Sequence, residues 1–331
     1  MHRLVLFCDS SSVLASLLLE VTLDAANRRT DMKVVAICDT ARKRSQDGIL
    51  RSLRHVLAHG SRWFFNPEIR ESKERLILPQ FYRIARRFRV PVFQPQGGGI
   101  NDPEFIHYLR EEIRPTGALS LFCLQIFKAP LLHVLEAPVN YHNGLLPKYG
   151  GLSATAWSMY CGETETGFTF HRMNEKIDGG PILLAGSIPI QPHSTPRGLE
   201  LEKTLQASRH IPRVLDLIGD KTSGIPQKGE ASYFDRKSGQ AMVNIDTPSR
   251  YPAEELRKRI RCFQMLNIKI GSTVYPVTHL GIVEGSNGSP RRLEFFTSDG
   301  ILLRPSRFKF MPIGLYRFSR ALLGEDGDPK R

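Results

Sequence analysis

Two short apolar runs near the N-terminus restrict what this chain can fold into. LVLFCD (residues 4–9) and KVVAICD (33–39) each end in aspartate, and a helix-like segment, 13–27, lies between them. Strands alternating with helical patterns predict βαβ units, so the expected fold class is α/β with a mostly parallel sheet. In such a sheet ligands gather beyond the carboxyl ends of the strands. The turn after the first run, Asp9-Ser10-Ser11-Ser12, is not G-x-G-x-x-G. Gly97-Gly98-Gly99 follows Pro95 in a loop, so no dinucleotide fingerprint is present.

The rhythm breaks over 41–90, which carries 13 Lys/Arg against four acids, with Trp63-Phe64-Phe65 in its middle. Basic residues interleaved with aromatics can hold phosphates and stack bases. The plainer reading is a basic helical insertion whose aromatics pack on the sheet while its Arg and Lys stems face water. The pattern then resumes with a strand at 90–93 and a helix at 102–113. Asp102-Pro103-Glu104 starts that helix with a cap, a proline at the first position and an acid in the first turn. A strand at 118–124, a short helix at 131–136, a strand ending at His142, a helix at 153–161, strands at 166–173 and 182–190 and a long helix at 195–218 follow. A Gly/Ser/Pro/Lys stretch, 219–229, reads as a linker. Beyond it, short β runs at 241–245, 269–276, 279–284, 292–297 and 300–304 surround one helix at 253–267 and suggest a small β-barrel. For 331 residues two domains are the expectation: a catalytic one over 1–218, a β domain over 230–323 and a disordered tail, 324–331.

Charge and cysteines narrow the partners. The formal net charge of +13 suits nucleic acid, an anionic membrane surface, or substrates bearing phosphate or carboxylate. No apolar run approaches the roughly 18 residues of a membrane span. The first apolar run stops at Asp9 and reads as a strand rather than a leader. Cys8, Cys38, Cys123, Cys161 and Cys262 are scattered without metal-ligand spacing. Reduced core thiols in a cytoplasmic protein without a metal are the expectation.

The chemistry concentrates in 140–178, NYHNGLLPKYGGLSATAWSMYCGETETGFTFHRMNEKID. Asn140 and His142 alternate on a strand end, so both side chains leave on the same side. A Gly/Pro-rich loop follows, and Asp178 stands before Gly179-Gly180-Pro181. An amide, a base and a carboxylate at a strand end are what acyl transfer requires. His171 reads as a sheet-face residue.

Asn140-Tyr141-His142, Leu145-Leu146-Pro147, Thr166-Gly167-Phe168-Thr169 and Ile177-Asp178-Gly179 come in a fixed order. Together they resemble the 10-formyltetrahydrofolate-dependent formyltransferases. The resemblance implies a Rossmann-like formyltransferase domain followed by a small OB-like β-barrel, with 10-formyltetrahydrofolate as formyl donor and no metal. It implies Asn140, His142 and Asp178 as the catalytic residues: an oxyanion donor, a general base and its support. Leu124, Gln125, Ile126 and Phe127 fall where the family lines its pterin pocket, with Leu145, Pro147 and Ile177 beside them. Asn143, Lys148 and Tyr149 lie in the loop where they could touch the acceptor.

The acceptor follows less directly. Methionyl-tRNA formyltransferases carry a loop resembling S-L-L-P-R-W-R-G-A-A-P-I, whereas this chain has G-L-L-P-K-Y-G-G-L-S-A-T-A-W, with Gly150 at the loop arginine. That resembles the biosynthetic branch, which formylates amino-sugar nucleotides or carrier-attached amino acids, and a small-molecule amine is the expected partner. The alternatives are initiator Met-tRNA as acceptor, hydrolysis of the formyl-folate, or a non-catalytic RNA-binding protein on the same scaffold.

Overall fold

A computed structural model describes residues 1–41, 80–95, 99–283, 290 and 293–308. Among these, the residues up to Phe234 form one compact unit and those from Asp235 onward another.

The first unit is built on a seven-stranded sheet. Its strands are β1 (His2–Cys8), β2 (Met32–Asp39), β3 (Val92–Phe93), β4 (Gly117–Leu121), β5 (Val139–His142), β7 (Glu165–Arg172) and β8 (Ile182–Pro189), in the order β3-β2-β1-β4-β5-β7-β8. The first five run parallel, and β7 and β8 are antiparallel additions. Strands covered on both faces read as continuous apolar runs, and β1 shows it. Leu4 and Leu6 pack on one side against α1 (Val13–Asn27), α2 (Gln80–Arg87) and α6 (Pro196–Gly219), through Leu18, Phe81, Ile211 and Val214. Val5 and Phe7 pack on the other side against Ile100, Phe105, Leu109 and Leu131. Phe105 belongs to α3 (Pro103–Tyr108), which begins as expected, with the Asp102 carboxylate accepting from the N–H groups of Glu104 and Phe105.

Of the expected basic insertion, α2 buries Phe81, Ile84 and Ala85 and turns Arg83, Arg86 and Arg87 outward. Residues 42–79, with Trp63-Phe64-Phe65, lie outside the described residues, as do Gly97, Gly98 and the tail. The stretch read as a linker lies on the first unit. Ile225 bridges Ile182, and β9 (Tyr233–Phe234) pairs in parallel with the two-residue β6 (Gly150–Gly151). A buried arginine closes the base of the sheet: Arg172 donates to the carbonyls of Thr222, Ala137 and Leu217. Spending three carbonyls on one guanidinium is what keeps a buried cation tolerable.

The second unit has a five-stranded mixed sheet, order β10-β11-β12-β14-β13, over a core of Leu256, Leu266, Ile268, Val277 and Leu303. It departs from the sequence reading in three places. The run 241–245 is mostly α7 (Arg236–Val243), because the Asp235 side chain accepts from the Ser238 N–H and caps a helix; only β10 (Asn244–Ile245) is strand. The helix expected over 253–267 is α8 (Ala253–Phe263), stopped by Gln264 in the left-handed region (φ 65°). The strand expected at 269–276 spans a turn at Gly271. Its ends belong to β11 (Leu266–Ile270) and β12 (Thr273–Ile282), which continues through the next expected strand. β14 (Leu302–Phe308) lies between β12 and β13 (Phe295–Phe296), which forms the edge. Among the described residues no ladder joins β10 to β13, the two ends of this mixed sheet. A cleft of about 350 Å³ beside α8 and β12 is lined by Arg257, Lys258, Arg261 and His279, with Glu254. Among the described residues no helix is long and apolar enough to cross a membrane.

Candidate active site

The register of β5 and β7 puts four polar side chains on one face. Asn140 pairs with His171 and His142 with Thr169. Because directly paired residues share a face, the alternation predicted for Asn140 and His142 is matched across the ladder by Thr169 and His171. The Asn140 amide nitrogen lies 3.2 Å from His171 Nε2. Thr169 turns its hydroxyl to the Gly144 carbonyl (2.7 Å) and accepts the Leu146 N–H, which fixes the start of the loop after His142.

That loop folds back over the strand end. Tyr149 sits in the left-handed region (φ 60°), which aims its carbonyl at His142 Nε2, 2.8 Å away. Two residues on, the Gly151 N–H donates to Asp178 Oδ2 at 2.8 Å. Asp178, at the β7–β8 turn, is also left-handed (φ 52°), and Gln227 donates to its carbonyl and to that of Gly180. Aspartate is among the few side chains that enter this region readily; backbone in such regions collects at functional sites. The carboxylate then reaches both imidazoles, Oδ2 at 3.6 Å from His142 Nδ1 and Oδ1 at 3.4 Å from His171 Nε2.

Gly151 is required by this geometry. Its φ is 88°, and a Cβ there would stand 2.3 Å from the Phe234 carbonyl of β9. Gly151→Ala is therefore expected to cost about 2 kcal/mol and to loosen the N–H that holds Asp178. Urea unfolding midpoints check the first effect, and turnover the second. Phe234 adds an aromatic clasp, stacking on Trp157 (4.0 Å, 14°) and lying parallel to Tyr149 (6.1 Å, 13°).

Protonation follows from the partners. A carbonyl only accepts, so His142 Nε2 carries a proton for Tyr149, and in the neutral ring Nδ1 is the free lone pair beside Asp178. His171 Nδ1 likewise donates to the Arg172 carbonyl at 2.8 Å, and its Nε2 lies between the Asn140 amide nitrogen at 3.2 Å and Asp178 Oδ1 at 3.4 Å. Burial holds the His142 pKa below the ordinary histidine value. Asp178 and the Tyr149 carbonyl oppose this, while His171 and Lys203 push the same way. Burial tends to raise the Asp178 carboxyl, but the His171 hydrogen bond, the charge of His142 and the Gly151 N–H outweigh it, and the pKa falls to about 2. A neutral imidazole beside a fixed carboxylate can accept a proton and have the resulting cation neutralised.

The other residues singled out in the sequence are spread around this centre. Leu124 and Ile126 are 74% and 56% exposed, and Ile177 is 40% exposed. Leu145 and Pro147 are half-buried. These apolar side chains could cover a flat heterocycle. Gln125 is engaged with the Ile100 N–H and the Thr40 carbonyl, and Phe127 is core, edge-on to Phe7 at 4.8 Å. Ser120, paired with Asn140 in the ladder, has a buried hydroxyl without a hydrogen-bond partner. Asn143 turns to Thr155, and Lys148 and Tyr149 both bond Glu163. Among the described residues no three His, Cys, Asp or Glu gather as a metal requires. His171 is the residue that sequence reasoning left on a sheet face without a role. Its signal was the Thr169-x-His171 alternation opposite Asn140-x-His142.

Comparison with known proteins points to one family. A family model described as formyl transferase matches residues 73–215. The methionyl-tRNA formyltransferase of Synechococcus sp. (strain JA-3-3Ab) is 30% identical over 237 residues, 68% of this chain and 72% of that protein. The GDP-perosamine N-formyltransferase of Brucella melitensis is 38% identical over 102 residues, 31% of this chain. That stretch spans only 39% of the Brucella protein's length. In fold, the chain resembles a crystal structure of an N-formyltransferase from Helicobacter canadensis in complex with folinic acid and dTDP-3-aminofucose. The TM-score is 0.57 over 93% of this chain and 100% of that one, at 17% identity.

Proposed function

Because this chain belongs to the formyl transferase family, we propose that it moves a formyl group from 10-formyltetrahydrofolate to the primary amine of a small biosynthetic substrate, an amino-sugar nucleotide or a carrier-attached amino acid. The observation that carries the reading is the convergence of Asn140, His142 and Asp178 at the carboxyl end of β5. The amine nitrogen forms a bond to the formyl carbon. The Asn140 amide donates to the oxyanion that develops there, an interaction worth more in the transition state than in the ground state. His142 Nδ1 takes the proton the amine sheds, and Asp178 Oδ2 faces the imidazolium so formed. As the carbon–nitrogen bond to the donor breaks, His142 returns that proton to the departing nitrogen, so charge and protons balance. Leu124, Ile126, Leu145, Pro147 and Ile177 cover the donor's ring system in this reading.

The small amine is favoured by Gly150, which stands in the sequence where the methionyl-tRNA enzymes' loop carries arginine and which pairs with β9. The Brucella relative and the Helicobacter structure, each described as acting on or binding a nucleotide-linked sugar, point the same way. One observation favours initiator tRNA instead: the basic cleft of the second unit, with Arg257, Lys258 and Arg261. Purified protein with 10-formyltetrahydrofolate and a panel of amines, read by formyl incorporation, tests the choice. Incorporation into an amino-sugar nucleotide, with a rate insensitive to salt, is expected. Incorporation into Met-tRNA, falling steeply between about 50 and 200 mM salt as counterion release requires, would establish the tRNA reading instead. Formate release without any acceptor would mark a hydrolase.

A further inference from the structure

Beneath the active-site loop lies a charge the reaction scheme leaves unused. Lys203, in the N-terminal half of α6, is 0% exposed. An ammonium taken out of water is costly, and it persists only where its hydrogens find acceptors. Lys203 Nζ donates to the Asn143 carbonyl at 3.0 Å and to Thr155 Oγ1 at 2.6 Å. Asn143 directly follows His142, and Thr155 lies in the first turn of α5 (Ala154–Tyr160). These are the two ends of the loop whose middle supplies the Tyr149 carbonyl to His142 and the Gly151 N–H to Asp178. One buried cation therefore pins both feet of the loop.

The groups that act on it are few. Glu200, one turn earlier on α6, is the acid beside it, and Arg197 in turn acts on Glu200. On β5, His142 is the titratable group its charge reaches. Burial draws the Lys203 pKa down to about 7, with Glu200 holding it up. Over the acid range in which His142 titrates, the ammonium is therefore charged.

We propose that Lys203 is a positioning residue for the reaction: it fixes both ends of the loop over 143–155, and with them the backbone groups that hold His142 and Asp178, while its positive charge discourages a second charge on His142. The proposal rests on the formyl-transfer reading for its kinetic consequence, but its structural and electrostatic part stands on this chain alone.

The test uses the full chain with Lys203→Met, and Lys203→Gln, which keeps a donor near the Asn143 carbonyl but no charge. The first readout is the NMR titration of the His142 imidazole in the substrate-free protein. Its midpoint is expected at higher pH in both variants than in the wild type. The second is the pH profile of kcat with the amine identified by the acceptor panel. The acid limb should move in the same direction, and kcat should fall about 100-fold in Lys203→Met, the scale of a loop misplaced by about 1 Å, with KM for the donor little changed. Lys203→Gln should recover part of the rate without restoring the titration. A folded variant whose His142 titration and acid limb coincide with the wild type overturns the proposal, even if its rate is uniformly lower. Should Lys203→Met fail to fold, Lys203→Gln carries both readouts. Absence of turnover with every acceptor would remove the formyl-transfer reading and leave the titration result to decide the role of Lys203.

Discussion

Changing His142 to Gln is expected to lower formyl transfer about 1,000-fold, within the range seen when a positioned proton carrier is lost, while the protein stays folded. The substitution suits the site. His142 is 6% exposed, and its Nε2 is tied to the Tyr149 carbonyl at 2.8 Å. A glutamine amide can still donate to that carbonyl, so the loop keeps a partner, but no group in it can accept a proton near neutral pH. The Nδ1 lone pair beside Asp178 is what disappears. Single-turnover formylation measures the loss, and a thermal melt confirms the fold. Turnover within a few-fold of wild type would mean that the proton leaves the amine by another route, and would undo the assignment of His142 as base.

Asp178→Asn is expected to reach further, because Asp178 serves the proposed reaction as well as the fold. The asparagine can still accept the Gly151 N–H through its oxygen. Its NH₂ then faces an imidazole where a carboxylate stood, so the cation formed at His142 loses its counter-charge. A loss of about 10,000-fold in kcat is the scale for removing the carboxylate behind a catalytic histidine. The stability effect has a definite sign. The folded pKa is about 2, against an ordinary aspartate value of 3.8. A lowered folded pKa means stability that is fully present above the unfolded value and disappears as pH falls through about 4 toward 2. The difference corresponds to about 2 kcal/mol. Wild type and Asp178→Asn should therefore differ in urea midpoint at pH 7 and converge near pH 2. Midpoints that differ equally at both pH values would show that the aspartate stabilises through shape alone. His142 adds to the acid sensitivity of both proteins, since its lowered folded pKa means that the unfolded chain binds the extra proton first as pH falls.

Much of the catalytic unit was legible in its residues, and the places where reading stopped have physical reasons. Continuous apolar strands such as β1 announce burial on both faces, and Asp102 announced its helix through a capping pattern that depends on neighbours alone. Asn140, His142 and Asp178 were legible because each carries its chemistry in its own side chain, in a recognisable order. The Tyr149 carbonyl and the Gly151 N–H carry no such mark, since every residue has a backbone, and only a folded loop aims these two. His171 needed the ladder register, which exists only once β7 turns antiparallel beside β5. Lys203 was passed over in the sequence, although it interrupts an apolar stripe on α6, Leu199, Lys203, Ala207 and Ile211, all spaced by four. The stretch 219–229 read as a linker because its residues are small and polar, yet Ile225 and Gln227 use their hydrogen bonds on β8 and the Asp178 turn. In the second unit the hairpin turn at Gly271 was hidden inside an otherwise even β pattern.

The short pairing of β6 with β9 bears on how the protein comes into being. A chain made from its N-terminus emerges from the ribosome with Asn140, His142 and Asp178 well ahead of the segment that secures them. Ser232, whose hydroxyl accepts the Tyr149 N–H, and Gln227, which grips the turn carrying Asp178, arrive later. Phe234, the last residue of the unit, closes the stack on Trp157. The seven-stranded sheet and α6 are complete by Gly219, so the groups that fasten the candidate site come after the elements that carry it. The stretch 220–234 is thus the last part of the unit to be made and the part that fastens the candidate site.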